Sequence, residues 1–425
     1  MIRFRTRRGA LGVAIGAIIG LVAAAPAPPA AAGGTADGVN VVVHWDQVAQ
    51  VAIWDVGQQL PWSQARAFAM VDGAVYDAVN AIAGTPYQPY LGALPAKGTW
   101  SMDAAVASAA YQVLVELFPD QQASLRASYD ETLATVRNGP AKRGGVAVGA
   151  RAAARMIAAR RGDGAFGDQT WTVGTQPGQW RPTPPLYAAD GAWLADLKPF
   201  LIPDGSMFRT SGPPALDSPA YAADFNEIKQ IGSVTSTVRT ADQTDAARWW
   251  HDRYVTEWEI KRQLATNQHL NTLEAARMFA MVNMTRADAA IACFSEKRAW
   301  SFWRPVTAVQ LADTDGNPAT EADPTWMPLL VTPPFPDYTS GHACATGANM
   351  SALTEFFHRD DIPFNAYSHD TGTRRYFTSF SQAVAEVIEA RVWGGIHFRS
   401  ADIAGVAIGR AVTDYTTRHY FRPLR

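Results

Sequence analysis

The stretch NTLEAARMFAMVNMTRADAAIACFSEKRA, residues 271–299, is a long run in which apolar residues recur every three or four positions. That spacing places them on one face of an α-helix, whereas a half-buried strand shows strict alternation. Asn271 stands at the start of the run, and its side chain can accept hydrogen bonds from the free N–H groups of a first helical turn. The stretch therefore predicts a long helix that begins at Asn271.

Helical periodicity continues along most of the chain, and strand-like alternation is scarce. The other periodic segments are 61–82, 102–118, 120–137, 142–161, 219–232, 240–267, 340–358, 374–394 and 400–418. Between Asp168 and Ala215 lie eight prolines, a composition that prevents a regular helix but allows an ordered belt across a helical bundle. We therefore predict an all-α fold of helical bundles with a long Pro-rich loop.

The composition excludes several classes of protein. Lysine and arginine number 37 against 39 Asp and Glu, so the chain lacks the basic surface typical of nucleic-acid binding. No apolar run after residue 25 approaches the roughly 18 residues that a bilayer crossing needs. Two cysteines are too few for a disulfide scaffold, and the eight histidines include no HExxH pattern. We expect no nucleic-acid partner and no transmembrane segment in the mature chain.

Residues 1–32 resemble an export signal peptide. Four arginines precede an uncharged run, and Ala30-Ala31-Ala32 has the small-residue form that signal peptidases cleave. The segment TRRGAL also resembles a twin-arginine signal, with the general secretory route as the alternative. We predict a signal peptide over residues 1–32, secretion, and a single α-helical domain over residues 33–425.

Three short segments toward the C-terminus carry an unusual set of cations, a hydroxyl and imidazoles. Their members are Lys297, Arg304, Ser340, Gly341, His342, Arg391 and His397. The cations can neutralise the oxygens of a tetrahedral anion, and each arginine can bind two oxygens at once. The serine and the free N–H groups of a helix N-terminus add donors. Because two histidines can divide ligation and proton transfer, the segments predict a reactive site for a phosphate-like anion.

The order Lys-x6-Arg-Pro, Ser-Gly-His and Arg-x5-His over residues 297–397 resembles the signature of one superfamily. That superfamily unites the vanadium-dependent haloperoxidases with type 2 phosphatidic acid phosphatases and bacterial acid phosphatases. The resemblance implies that the anion is bound by Lys297, Arg304, Ser340, Gly341 and Arg391. It further implies that His397 is the covalent ligand or nucleophile and that His342 is the acid–base residue.

The haloperoxidase branch is the more similar in chain length, in two-bundle architecture and in the sequence around the motifs. Phe335 stands where its chlorinating members carry an aromatic residue. The resemblance implies vanadate as cofactor, with vanadium(V) bound to His397, and it implies hydrogen peroxide, a halide and a small organic acceptor as reactants. Halide would be oxidised to a hypohalous species that halogenates the acceptor, with Lys297 polarising the peroxide. The alternative is hydrolysis of phosphomonoesters by an acid phosphatase, through a phosphohistidine intermediate at His397.

The sequence leaves open which residues support the two histidines that the resemblance makes catalytic. A ligating imidazole needs an acceptor for its other N–H, and Asp402 or a backbone carbonyl can serve His397. Asp252 is a candidate to support the acid–base histidine, with a surface salt bridge as the alternative. Cys293 and Cys344 form either a disulfide beside the site or two separate buried thiols. No chemical role is predicted for the other histidines, which are His44, His251, His269, His358, His369 and His419.

Overall fold

Helices make up most of the structure, as the periodicity predicts. The computed structural model describes residues 40–251 and 256–424, and at positions 256 and 257 it describes the backbone alone. The helices of the described residues are α1 (Val41–Gln50), α2 (Pro61–Ile82), α3 (Met102–Leu117), α4 (Gln122–Thr135), α5 (Pro140–Ala159), α6 (Pro219–Ile231), α7 (Ala241–Trp249), α8 (Thr256–Asn267), α9 (Thr272–Trp300), α10 (Pro305–Gln310), α11 (Gly341–Phe357), α12 (Phe380–Trp393) and α13 (Arg399–His419). The predicted all-α class is confirmed.

A short β-hairpin stands where the sequence predicts the start of a helix over 374–394. Strand β1 (Phe364–Tyr367) pairs antiparallel with β2 (Arg374–Phe377), and Phe364 lies opposite Phe377. Their rings stack with centroids 5.1 Å apart. Cross-strand aromatic packing therefore overrides the helical periodicity over these four residues, and the helix begins only after them.

One further predicted helix is divided. The segment 240–267 is predicted as a single helix, but α7 ends at Trp249 and α8 begins at Thr256.

Two helices, the short α10 and the N-terminal α1, lie outside the predicted segments. Residues Val41 to Val43 are β-branched and disfavour a helix by propensity, but Asn40 caps α1 by accepting a hydrogen bond from the N–H of Val42 at 2.9 Å.

The long helix α9 lies between two groups of helices. It packs against α2, which belongs to an N-terminal group with α3 and α5, and against α11 and α13 of a C-terminal group with α12. Helix α13 approaches α11 closely because Gly409 has no side chain. A Cβ atom there would lie 2.5 Å from the carbonyl oxygen of Cys344. This is the two-bundle architecture that the resemblance implies.

The Pro-rich loop between α5 and α6 is an ordered belt, as predicted. Three of its tryptophans, Trp171, Trp180 and Trp193, are buried. The buried carboxylate of Asp288 on α9 accepts hydrogen bonds from the backbone N–H groups of residues 200–202, at 2.6 to 2.8 Å. One side chain of the central helix therefore supplies three hydrogen bonds that attach the belt to it.

Cys293 and Cys344 form a disulfide, so the alternative of two separate thiols is wrong. The bond joins α9 to α11, with Cα atoms 6.4 Å apart and a sequence separation of 51. Cys293 lies one turn before Lys297, and Cys344 lies two residues after His342. The bridge therefore ties the helix of the first motif to the helix of the second.

The predicted signal peptide over residues 1–32 and the domain boundary at residue 33 lie outside the described residues. Both stay predictions. Among the helices that the structure does describe, none combines the length and apolar character needed to cross a bilayer.

Replacing Asp288 with alanine should loosen the belt, because three buried N–H groups lose their acceptor. An unpaired buried donor costs about 1 kcal/mol or more, so the free energy of unfolding in urea should fall by about 3 kcal/mol. The control is Asp414→Ala, which removes an exposed carboxylate that forms a 3.9 Å ion pair with Arg418 and should leave stability unchanged. Equal stability of the two variants would contradict the role of Asp288.

The double variant Cys293→Ala/Cys344→Ala should unfold more easily than the wild type. Closing a 51-residue loop restricts the unfolded chain, which corresponds to about 4 kcal/mol of stability. Urea unfolding should show a loss of that order, and wild-type protein measured in reductant should match the variant. Detection of two free thiols in denatured, unreduced wild-type protein would show that no bridge forms.

Candidate active site

The three motifs meet because each lies at the end of a helix. Lys297 is in the last turn of α9, and Arg304 directly precedes α10. Ser340 caps α11, where its hydroxyl accepts a hydrogen bond from the first turn. Arg391 is in the last turn of α12, and His397 lies two residues before α13. All five side chains are buried.

His397 is held by Asp337, a residue that the sequence analysis did not single out. Its Nδ1 lies 2.8 Å from Oδ1 of Asp337, and its Nε2 lies 3.1 Å from Nη1 of Arg304. A carboxylate at Nδ1 favours protonation there and leaves the lone pair on Nε2. The predicted partner, Asp402 or a backbone carbonyl, is therefore wrong for this ring. The sequence did contain one signal that could have pointed to Asp337. This residue lies three positions before Ser340, in the loop that leads into the second motif.

Burial and nearby cations keep His397 neutral. Burial lowers the pKa of His397 well below its ordinary value, and the charges of Arg304 and Lys297 lower it further. Burial raises the pKa of Asp337 to about 7, although the same two cations oppose the shift. The imidazole can therefore act as a neutral nitrogen ligand through Nε2.

Asp402 lies in the first turn of α13 and acts on a different part of the site from His397. Burial raises the pKa of its carboxyl well above the ordinary value, and a hydrogen bond from Ser340 and the charge of Arg391 oppose the shift. Asp402 therefore lies on the side of the site that holds Ser340 and Arg391.

Lys297 is a fully buried cation against an aromatic ring. Its Nζ donates to the carbonyl oxygens of Pro336 at 2.7 Å and Asp337 at 3.0 Å. The same atom lies 4.9 Å from the centroid of Phe335. Burial, followed by the charge of Arg304, lowers the pKa of Lys297 well below its ordinary value. These contacts hold the amine in one place.

Each of the two buried arginines keeps one N–H group without a hydrogen-bond partner among the described residues. Arg304 donates from Nε to the carbonyl of Phe335 and from Nη1 to that of Ile396, both at 2.7 Å, and its Nη2 is unpaired. Arg391 donates from Nη1 to the carbonyl of Trp250 at 3.3 Å, and its Nε is unpaired. Burial lowers the pKa of both arginines to about 10, so both stay charged at neutral pH.

Unpaired buried donors are unfavourable, and these two belong to cations. A tetrahedral oxyanion such as vanadate or phosphate supplies the missing acceptors, so the residues present fit such a group. We give the name anion cradle to the five residues that the resemblance implies bind the anion, which are Lys297, Arg304, Ser340, Gly341 and Arg391. The Nε2 lone pair of His397 adds a neutral ligand for the central atom.

His342 lies in the first turn of α11, next to a histidine for which the sequence predicts no role. The rings of His342 and His251 have centroids 6.3 Å apart and planes inclined by 24°. Nδ1 of His251 lies 3.4 Å from Nη2 of Arg391. Burial, then the charges of Arg391 and His251, lower the pKa of His342 well below its ordinary value. Asp252 lies outside the described residues, so its support of His342 stays a prediction.

A cavity of about 520 Å³ adjoins the anion cradle. Gly341, His342 and Phe335 line it, and the ring of Phe335 also packs against the buried Lys297. His251 lines the same cavity. His342, on whose pKa the charge of Arg391 acts, therefore stands between the buried cations and a larger space.

Comparisons with known proteins locate the resemblance in the same part of the chain. Residues 277–425 match the family model of the VCPO second helical-bundle domain. A segment of 121 residues is 33% identical to the vanadium chloroperoxidase of Curvularia inaequalis. This match covers 25% of the chain and spans 19% of the length of that relative.

Solved structures match a much larger part of the chain. The crystal structure of a bacterial vanadium-dependent iodoperoxidase aligns with a TM-score of 0.75 and 25% identity, over 91% of this chain and 96% of that one. The apo-type bacterial vanadium-dependent chloroperoxidase aligns with a TM-score of 0.66 and 17% identity, over 83% of this chain and 91% of that one, and shows the fold alone. The motif order, the second helical bundle and the fold agree, and together they support a vanadium haloperoxidase.

Proposed function

We propose that the chain is a vanadium-dependent haloperoxidase. It uses hydrogen peroxide to oxidise a halide, and the hypohalous product halogenates an organic acceptor. The observation that carries this proposal is the pair of unpaired buried donors on Arg304 and Arg391 beside a neutral His397. The similarity to vanadium haloperoxidases supports vanadate rather than phosphate as the resident anion.

The anion cradle and His397 are the residues that would hold vanadate. When bound, vanadate would supply a Lewis-acidic vanadium(V) centre that activates peroxide toward halide. The Asp337 carboxyl lies 2.8 Å from Nδ1 of His397, which favours the tautomer that carries its proton on Nδ1 and leaves the lone pair on Nε2. Lys297 contributes a fixed positive charge that draws electron density from the peroxide.

His342 moves the protons in this mechanism. Because its pKa is lowered, the imidazole is neutral at neutral pH and can take a proton from hydrogen peroxide. Burial and the charge of Arg391 disfavour the imidazolium that forms. His342 therefore holds this proton only briefly and would release it to a departing hydroxide, which leaves as water.

We also propose that the chain is exported by means of the segment over residues 1–32. Disulfides persist mainly in oxidising compartments outside the cytosol. The bond between Cys293 and Cys344 supports such a location.

The proposed function is tested by comparing two activities of the purified mature protein. With orthovanadate, peroxide and bromide it should brominate a phenolic dye, whereas hydrolysis of nitrophenyl phosphate should be negligible. His342→Ala should lower bromination about 100-fold or more, because the base is lost, while vanadate still binds to the cradle. His419→Ala, which removes an exposed histidine that contacts the Tyr415 carbonyl, is the control and should change neither property. Phosphatase turnover inhibited by vanadate would reverse the assignment.

Asp337→Ala should weaken vanadate binding about 10- to 100-fold, because Nδ1 of His397 loses its acceptor. Asp337→Asn keeps one acceptor oxygen and should weaken binding less. Both affinities can be measured by vanadate titration of the apoprotein, followed by tryptophan fluorescence. Wild-type affinity in the alanine variant would contradict the coupling of Asp337 to His397.

A further inference from the structure

His251 contacts Arg391 from the end of α7, a helix that carries none of the three motifs. Nη1 of Arg391 donates to the carbonyl oxygen of Trp250 at 3.3 Å, and Nη2 lies 3.4 Å from Nδ1 of His251. Both partners directly follow α7, which ends at Trp249. The guanidinium of a cradle residue is therefore held by a segment 140 and 141 positions earlier in the chain.

The contact with Arg391 fixes the protonation state that His251 requires. A guanidinium carries N–H donors and no acceptor, so Nδ1 of His251 has to present its lone pair to Nη2. The proton of the neutral ring then lies on Nε2. A protonated ring would place one donor against another and lose the hydrogen bond. Because the accepting imidazole is neutral, it orients the guanidinium without cancelling its positive charge.

Holding the two terminal nitrogens of Arg391 determines where its third nitrogen points. The five N–H donors of a guanidinium lie in one plane at fixed angles. Nη1 and Nη2 face the end of α7, and Nε is the nitrogen without a hydrogen-bond partner among the described residues. The two contacts from α7 therefore leave Nε available to an anion.

The segment that holds Arg391 is itself anchored to α12 and to the hairpin. The indole N–H of Trp250 donates to Oε1 of Glu386 on α12 at 2.9 Å. Arg375 on β2 donates to both carboxylate oxygens of Glu386, at 2.7 and 2.9 Å, and to Asp242 on α7 at 2.9 Å. A hydrogen-bonded frame therefore fixes the end of α7 and, with it, the acceptors for Arg391.

We propose that His251 is a positioning residue, which orients Arg391 toward the bound anion through the lone pair of its Nδ1. The inference rests on the proposed function only for the identity of that anion, and it gives a role to a histidine that lies in no motif. His251 also lines the cavity beside His342, with the two ring centroids 6.3 Å apart. Its effect on the anion passes through the guanidinium.

The test compares two substitutions of His251 that differ in whether an acceptor remains. Asparagine keeps an amide oxygen close to the position of Nδ1, whereas phenylalanine keeps a ring of similar size and no acceptor. His44→Phe is the matched control, because His44 is also partly buried, packs edge to face with Trp45 and does not line the cavity. Urea unfolding of each variant establishes that the fold is retained.

Orthovanadate is titrated into the apoprotein of each variant, and binding is followed by tryptophan fluorescence. His251→Phe should raise the Kd for vanadate about tenfold, because a hydrogen bond to a charged group is lost. His251→Asn should stay within about threefold of the wild type, and His44→Phe should match it. A loss of affinity that asparagine restores does not follow from a purely structural role of the ring.

The tautomer of His251 gives a second readout that needs no anion. In ¹⁵N NMR of histidine-labelled apoprotein, the signals of His251 are those missing from the spectrum of His251→Asn, and their shifts report which ring nitrogen carries the proton. The expected form carries it on Nε2. This measurement uses only the wild type and the asparagine variant, so it decides the question even where the phenylalanine variant does not fold.

Equal vanadate affinities in the phenylalanine and asparagine variants, or a proton on Nδ1 of His251, would overturn the inference. The proposed function fails separately, if the wild type brominates no acceptor. The titration requires neither peroxide nor turnover, and in that event it is repeated with inorganic phosphate. The same order of affinities is then expected, and its absence would count against His251 as a positioning residue.

Discussion

Three cations buried in one small volume are the constraint on which the rest of this structure depends. Lys297, Arg304 and Arg391 have no exposed surface. Burying incompletely compensated charge is among the largest penalties that a fold carries. Two buried carboxyl groups, those of Asp337 and Asp402, interact electrostatically with these cations. Burial raises the pKa of both carboxyl groups, which favours their uncharged forms. The site is therefore left with positive charge and, on the two arginines, with unpaired donors, and an anion would compensate both.

Such a site needs a rigid frame, because like charges repel one another in a low dielectric. The frame is the central helix α9, which both bundles share. The disulfide fixes α9 to α11, and Asp288 attaches the Pro-rich belt to α9. Gly409 lets α13 lie directly on the helix that Ser340 caps. The disulfide and the close approach at Gly409 hold the helices that bear the motifs against one another, and Asp288 holds the belt against α9.

The ring of Phe335 and the imidazole of His342 lie at the boundary between the buried cations and an apolar cavity. Phe335 contacts the cations of Lys297 and Arg304 on one side and lines an apolar cavity on the other. His342 stands at the same boundary, where low polarity keeps its ring neutral. Surroundings that favour an anion and a space that favours apolar groups therefore lie side by side.

Local patterns in the sequence determined the helical class, most of the helices and the residues of the three motifs. These features depend on spacing within one segment, such as the period of α9 or the interval from Lys297 to Arg304. The tertiary structure decided the partners: Asp337 for His397, His251 beside His342, and the hairpin at 374–377. Those contacts join segments far apart in the chain, and several neighbouring carboxylates and histidines satisfied the local pattern equally well. Only the packing of α9, α11 and α13 selects which of them comes within hydrogen-bond distance.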